Sequence, residues 1–171
     1  TLKVVVENNA LPWLLALLRS SKPQMKKEVC WVVSNIAAGT QDQVQAVIDA
    51  ELVPTVVKLL GTEVLAIRQE AGHVISNLVS GSIPEHIHHV VEQGCLEPVL
   101  DLLLEEQDPE VVMLALNTVE SILKAGAAEA KTQGRTTNEM TWLIMDCDGF
   151  DRISYLQQHE DDEIYSKVRR I

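Results

Sequence analysis

The apolar residues of this chain recur at three- and four-residue steps over long stretches, which is the spacing of one face of an α-helix. The stretch Val64–Ser80 shows this spacing most clearly, and Gly81 follows it directly. We therefore predict a helix over these residues that Gly81 ends as a C-terminal cap. Two shorter helices are predicted before it, Asp42–Ala50 and Leu52–Leu60, and Pro54 falls in the first turn of the second, where a missing N–H costs nothing.

This group of three helices is one unit of an internal repeat. Prolines that lie 42 and 44 residues apart each precede a Leu-Leu pair, at Pro12, Pro54 and Pro98. A second set of positions repeats in the same register: Trp31, Asn35 and Gly39, then His73, Asn77 and Gly81, then Asn117, Ser121 and Gly126. A fourth and weaker copy follows an insertion rich in Ala, Thr and Gly. The predicted organisation is repeats at 1–39, 40–81 and 82–126, an insertion loop at 127–138, and a divergent repeat at 139–171.

Three helices in about 42 residues is the period of the armadillo repeat. The predicted fold class is therefore all-α, a right-handed superhelical solenoid of about four armadillo repeats whose third helices line a concave groove. A length of 171 residues is enough to bury a core. Gly and Pro are sparse, at 8 and 6 residues, which excludes a turn-rich β-sandwich and a disordered chain. A single globular helical bundle is the structural alternative.

Charge and cysteine content narrow the class of function. The formal net charge is −11, and residues 1–40 carry 5 basic and 2 acidic side chains, so the rest of the chain sums to −14. Such a chain repels phosphate backbones, which predicts no nucleic-acid partner. Three cysteines lie far apart, which supports neither a zinc site nor a disulfide framework. No window resembles a membrane span or a signal peptide, so we predict no membrane partner and a cytosolic or nuclear location.

Two corresponding sets of polar and aromatic residues are the candidate site. Glu28, Trp31 and Asn35 are three and four residues apart, so they project from one face of a helix. The next repeat places Glu70, His73 and Asn77 at the same positions. Amides can hold a peptide backbone extended, an indole can stack on a lysine stem, and the acid one turn away attracts its ammonium group. The pattern predicts a binding site for extended, lysine-rich peptides.

Each of these residues also has a simpler explanation. Trp31 stands among apolar neighbours and could belong to the core. A mid-helix Asn could bond a neighbouring helix and act only as a clamp between repeats. Glu28 and Glu70 could be ordinary solvated charges. The repetition of the whole set at one spacing favours the peptide site.

No motif indicates catalysis or a cofactor. His86 and His89 are three residues apart on one helix turn, but no Cys or other paired ligand is near in the sequence, so we expect surface histidines and no metal. There is no G-x-S-x-G, no phosphate-binding glycine loop and no pair of nucleophile and base. We predict a protein that is not an enzyme and needs no cofactor.

At its most distinctive segments the chain resembles importin α, the cargo-binding adaptor of nuclear import. The segments that carry the resemblance are 26–39, 43–50, 90–95 and 159–165. The resemblance implies the last four armadillo repeats of that family. It further implies that the minor site for nuclear localisation signals is formed by Glu28, Trp31, Ser34, Asn35, Glu70, His73 and Asn77. His73 departs from the family, which has a second Trp there, so one lysine subsite is expected to be weaker.

The same resemblance implies the partners. They are cargo proteins with nuclear localisation signals, importin β through a basic segment outside this chain, and, at the C-terminal repeats, an export receptor of the CAS type and nucleoporins. The family shuttles between cytoplasm and nucleus. Residues 85–129 carry 10 acids and a single Lys, which suits basic partner surfaces. The rival hypotheses are an armadillo scaffold of the β-catenin kind, which would bind acidic peptides and which Glu28 and Glu70 disfavour, and an enzyme hidden in the last repeat.

Overall fold

A computed structural model describes residues 8, 10–105 and 108–171. Its contacts divide the chain into two compact units, 1–95 and 96–171. The start of the first predicted repeat, residues 1–7 and 9, lies outside the described residues. Within the described residues every regular element is a helix, so the all-α prediction is confirmed. The α-helices are α1 Leu11–Leu18, α2 Pro23–Ala37, α3 Gln41–Asp49, α4 Leu52–Thr62, α5 Leu65–Val79, α6 Pro84–Glu92, α7 Leu96–Asp101, α8 Pro109–Thr132, α9 Glu139–Asp146, α10 Gly149–Tyr155 and α11 Asp162–Val168.

The three helices predicted for residues 42–80 are present in the first unit, since α3, α4 and α5 begin and end within two residues of the expected helices. Local sequence explains their ends. Thr40 accepts a hydrogen bond from the Gln43 backbone N–H and the Gln43 side chain accepts one from the Thr40 backbone, which is a capping box at the start of α3. Gly81 follows α5 with φ of 71°, a left-handed conformation that glycine adopts without strain.

The core of the first unit is aliphatic and lies between α2, α4 and α5. These helices bury one side each, and the side chains that are less than 2% exposed include Ile36, Leu52, Leu60, Ile67, Ile75 and Leu78. Full burial of an aliphatic side chain of this size contributes about 1.5–3 kcal/mol. The long helices α2 and α5 pack along each other, so the third helices of consecutive repeats are neighbours.

The second unit is built around α8, and here the sequence prediction needs a correction. The predicted loop 127–138 is wrong for residues 127–132, because α8 continues as a helix to Thr132. The Ala-rich segment is a strong helix former. Just past the helix end, the Arg135 N–H donates to the Ala130 carbonyl at 2.8 Å and the Gly134 N–H donates to the Lys131 carbonyl at 3.2 Å. This pair of bonds is a Schellman motif.

Gly126 was predicted to end the third repeat, and it instead lies buried inside α8. A methyl group at this position would overlap the side chains of Asn138 and Met140. Asn138 also donates to the Leu123 carbonyl at 2.9 Å and accepts from the Met140 N–H at 3.0 Å. Glycine is therefore required here by close packing of the turn that leads into α9, and not by a helix end.

Two ion pairs hold the smaller helices of the second unit in place. Lys167 of α11, whose side chain is 7% exposed, donates to Glu120 of α8, and Lys124 contacts the same carboxylate at 3.0 Å. Hydrogen bonds from the two lysines lower the pKa of Glu120. Arg152 of α10 pairs with Asp101 of α7 at 2.6 Å.

The helix α8 has 24 residues and is apolar enough to cross a membrane by length and composition alone. Half of its most apolar stretch is buried within the protein. The predicted absence of a membrane partner stays a prediction.

Candidate functional site

Six of the seven predicted site residues, all except Ser34, lie on solvent-accessible stripes of α2 and α5. On α2 the stripe steps by four and three residues through Gln24, Glu28, Trp31, Asn35 and, just past the helix, Ala38. On α5 the corresponding positions are Ala66, Glu70, His73, Asn77 and, just past the helix, Ser80. Every member of the two stripes is exposed or half-buried, while the residues between them include the buried core. We call these two stripes together the ladder face.

Trp31 is the most prominent side chain of the ladder face. It is 56% exposed, although Cys30 and Val33 beside it are completely buried. The alternative that Trp31 belongs to the core is therefore wrong, because the helix turns it to solvent. His73, at the corresponding position of α5, is also exposed.

The two asparagine amides are each fixed by a hydrogen bond. Asn35 Nδ2 donates to the Trp31 carbonyl at 2.8 Å, within α2. Asn77 Nδ2 donates to the Ser34 carbonyl at 2.9 Å, which joins α5 to α2. From the sequence, a mid-helix Asn could bond a neighbouring helix and so act as a clamp between repeats. Asn77 makes such a bond. Each bond uses one hydrogen of the Nδ2 amide group and does not involve the Oδ1 oxygen. The same side chain can therefore keep this bond and still accept a hydrogen bond from a ligand through Oδ1.

Ser34 is not brought to the ladder face. Its side chain is buried, with 6% of the residue exposed, and its hydroxyl donates to the Trp31 carbonyl at 2.8 Å. Successive residues of an α-helix are turned by about 100°, so Ser34 lies on the opposite side of Trp31 from Glu28 and Asn35, at the edge that faces the core. The part of Ser34 that reaches the site is its backbone carbonyl, which holds Asn77.

Carboxylates give this part of the first unit a negative field. Glu28 is exposed and accepts from Gln24 Nε2 at 2.6 Å. Burial, together with the nearby charges of Glu70 and Glu63, raises the pKa of the Cys30 thiol to about 12. Glu63 is paired with Lys26, which compensates part of the charge. Glu28 and Glu70 are left as the acids of the ladder face.

His86 corrects the expectation of surface histidines. It is 3% exposed, and its Nε2 lies 2.8 Å from Gln45 Oε1, so it packs α6 onto α3. Its Nδ1 has no hydrogen-bond partner. Across the described residues, no three His, Cys, Asp or Glu side chains are placed to hold a metal ion. The helical turn that spaces His86 and His89 sends the first inward, which the sequence spacing alone does not reveal.

Sequence reasoning did not single out a third exposed indole. Trp142 of α9 is 56% exposed, the same fraction as Trp31. Glu139 precedes it by three residues and Asp146 follows it by four, which matches the spacing of Glu28, Trp31 and Asn35. That spacing was the signal that could have found it.

Known families of repeat proteins match this chain over segments that correspond to its repeats. The family described as "Armadillo/beta-catenin-like repeat" matches residues 2–38 and 40–80, and the family "Atypical Arm repeat" matches 138–171. "Importin subunit alpha-4" of Arabidopsis thaliana is 39% identical over 157 residues, covering 91% of this chain and 29% of the relative. "Importin subunit alpha-1b" of Oryza sativa subsp. japonica is 42% identical over 165 residues, covering 96% of this chain and 31% of the relative. The chain thus spans about a third of the length of these relatives.

Solved structures agree on the fold. An engineered protein superposes with a TM-score of 0.83 at 25% identity, covering 99% of this chain and 63% of that chain. A designed armadillo repeat protein, solved in complex with the peptide (KR)4, superposes with a TM-score of 0.69 at 24% identity, covering 98% of this chain and 82% of that chain.

Proposed function

The chain belongs to the armadillo-repeat family, and on that premise we propose that its ladder face binds extended, lysine-rich peptides of the nuclear localisation signal class, as part of a nuclear import adaptor. The resemblance to importin α and the armadillo fold, both predicted from sequence, are confirmed by the relatives and by the solved structures. The peptide site itself is the proposal.

The observation that supports it is the paired set of stripes on α2 and α5. An exposed indole, a carboxylate and an amide occur on α2, and a carboxylate, an imidazole and an amide occur at the same positions of α5. Packed helices are spaced by about 8–10 Å, and an extended peptide advances about 3.3 Å per residue. One repeat therefore matches about three peptide residues. A peptide crossing α2 and α5 meets the same chemistry at that interval.

The chemistry of the set selects lysine. The aliphatic stem of a lysine can lie on the Trp31 ring with its ammonium group near the ring face, a contact that contributes about 0.5–2 kcal/mol. Glu28 and Glu70 add an attraction that salt screens, with a Debye length of about 10 Å at 0.1 M. The oxygens of Asn35 and Asn77 can accept peptide N–H groups, while one hydrogen of each amide keeps its present bond. The peptide backbone is thus bound independently of the peptide's side chains.

His73 makes the two subsites unequal. The imidazole is smaller than an indole and can become positively charged, which disfavours a neighbouring lysine. We expect the Trp31 subsite to contribute most of the peptide affinity and the His73 subsite to be weaker.

We also propose the wider role that the resemblance to importin α implies. In a transport cycle the ladder face would hold cargo, importin β would bind through another part of the protein, and the acidic C-terminal repeats would contact a CAS-type export receptor and nucleoporins. Such a protein would shuttle between cytoplasm and nucleus.

Fluorescence anisotropy with labelled octapeptides tests the peptide site. One peptide is rich in lysine and the other in glutamate, each at low and high salt. We expect the lysine peptide to bind, more weakly at high salt, and the glutamate peptide not to bind. Trp31→Ala should weaken binding about five- to tenfold, in line with the loss of a cation–π contact. Trp13→Ala is the matched control, because Trp13 is 74% exposed on α1, outside the ladder face.

Two results would contradict the proposal. Preferential binding of the glutamate peptide would favour the scaffold of the β-catenin kind. Equal effects of Trp31→Ala and Trp13→Ala would remove the ladder face as the site.

A further inference from the structure

The helix α9 exposes an apolar surface that the peptide site does not use. Trp142, Leu143 and Met145 are 56%, 40% and 48% exposed, whereas Met140 and Ile144 on the opposite side are almost completely buried. An eight-residue helix therefore presents three large apolar side chains to solvent.

The corresponding helices of the two preceding repeats behave differently. Helix α3 exposes Gln41, Asp42, Gln45 and Asp49, and helix α6 exposes Pro84, Glu85 and Glu92. In the second and third repeats, the first helix thus presents mainly polar side chains to water. Single apolar residues are common on protein surfaces, but a contiguous exposed group of large apolar residues is typical of an interaction surface.

Exposed carboxylates lie on α9 and directly after it. Glu139 and Asp146 lie on the same side of α9 as Trp142, three residues before it and four after it, and both are exposed. Asp148 and Asp151 follow and are also exposed. Burial and the charges of Glu97, Asp146 and Asp148 raise the pKa of the Cys147 thiol at the end of α9, and only Arg152, which is paired with Asp101, acts in the opposite direction. The cluster therefore lies in a negative field, which is complementary to a basic partner.

We propose that Trp142, Glu139 and Asp146 form a docking site for an arginine-rich segment of a partner protein. A guanidinium group is planar, stacks on an indole and presents several donors to carboxylates at the edges of the ring, whereas an ammonium group is a compact point charge. Leu143 and Met145 provide an apolar contact for the side chains next to the arginine.

Two contacts within the second unit show the same chemistry. The guanidinium of Arg135 already donates to Glu139, whose side chain stays 60% exposed. On α11 the guanidinium of Arg169 lies 5.7 Å from the centre of the Tyr165 ring. An incoming arginine at Trp142 would combine the carboxylate contact of the first with the ring contact of the second.

This site is independent of the ladder face. It lies on the first helix of its repeat, and not on a third helix, and it belongs to the second unit. Its existence does not rest on the proposed peptide function, and its test can be read separately.

The test uses the whole 171-residue chain labelled with 5-fluorotryptophan. The three tryptophan ¹⁹F resonances are assigned by single Trp→Phe variants. An arginine-rich octapeptide is then titrated, with lysine-rich and glutamate-rich peptides of equal length as controls. We expect a saturable shift of the Trp142 resonance with the arginine peptide and a smaller shift with the lysine peptide.

Variants test the residues of the site in a Trp31→Ala background, in which the ladder face is weakened. Trp142→Ala should lower the remaining affinity for the arginine peptide about five- to tenfold and Asp146→Asn about threefold. Trp13→Ala should leave it unchanged. Far-UV circular dichroism of each variant should match the parent, since all three positions are exposed.

Three outcomes would overturn the proposal. The Trp142 resonance could stay unmoved while the peptide binds elsewhere. Trp142→Ala and Asp146→Asn could bind the arginine peptide as tightly as the background. The Trp142 resonance could shift with protein concentration in the absence of peptide, which would mean that a second copy of the chain covers this surface.

Discussion

Replacing His73 by Trp is the sharpest perturbation of the peptide site, because it adds binding instead of removing it. His73 is exposed on the ladder face, three residues after Glu70 and four before Asn77. An indole at this position would reproduce the arrangement of Glu28, Trp31 and Asn35 one repeat later. Because the side chain is exposed, the substitution should leave the fold intact.

The expected magnitude follows from the exposure of the two rings. A cation–π contact contributes about 0.5–1 kcal/mol at an exposed site and about 2 kcal/mol when the contact is desolvated. Trp31 is 56% exposed, so a new indole in the equivalent environment should contribute about 1 kcal/mol. That free energy corresponds to about a fivefold lower Kd for a lysine-rich peptide.

Isothermal titration calorimetry with the lysine-rich octapeptide measures this change. His73→Trp is compared with His73→Ala, which removes the imidazole without adding a ring, and with Ala16→Trp, which adds an indole at an exposed position of α1 outside the ladder face. We expect tighter binding for His73→Trp alone. If all three proteins bind with the Kd of the parent, position 73 does not contact the peptide and the ladder geometry is refuted.

Three further predictions concern stability and reactivity. Asn77→Ala should lower the free energy of unfolding in urea by about 1 kcal/mol, because it breaks the hydrogen bond between α5 and α2; no change would mean that the bond contributes nothing. Cys30 should resist a maleimide at pH 8 in the native protein and react in urea, because it is buried and its pKa is raised to about 12. The half-buried Cys147 should react before it in the native protein. Rapid labelling of Cys30 in the native protein would contradict its burial. The lowered pKa of Glu120 means that its stabilising charge is present above the pKa of an unfolded glutamate and lost as the pH falls through its folded value. Glu120→Gln should therefore reduce the acid dependence of stability, followed by circular dichroism. It should also cost about 1–3 kcal/mol at pH 7, because the buried Lys167 loses its charged hydrogen-bond partner. An unchanged acid profile would argue against the pair.

The repeat could be predicted because its signals are local. Helical spacing of apolar residues and the proline and glycine positions placed α3, α4 and α5 within two residues of their observed ends. The prediction was wrong where a signal had two meanings. Gly126 looked like a helix end, but it is a packing glycine inside α8, and only the contact with Asn138 distinguishes the two.

The candidate site, too, was predictable only where its features depend on a single helix. Spacing by three and four residues placed Glu28, Trp31 and Asn35 on one stripe, since this follows from helical geometry alone. The burial of Ser34, the bond from Asn77 to α2 and the inward turn of His86 depend on a neighbouring helix. No single helix contains that information.

By itself the sequence determined the period of the repeat, the helical fold class, the acidic charge and the pairing of an indole with carboxylates and amides, because each is set by residue type and by distance along the chain. The tertiary structure alone decided which side of each helix is buried where the pattern is ambiguous, which amide hydrogens are already used, and that the indole at position 142 remains open to solvent. The physical reason is that burial and hydrogen bonding between helices are properties of pairs of surfaces, and such pairs form only when distant segments pack together.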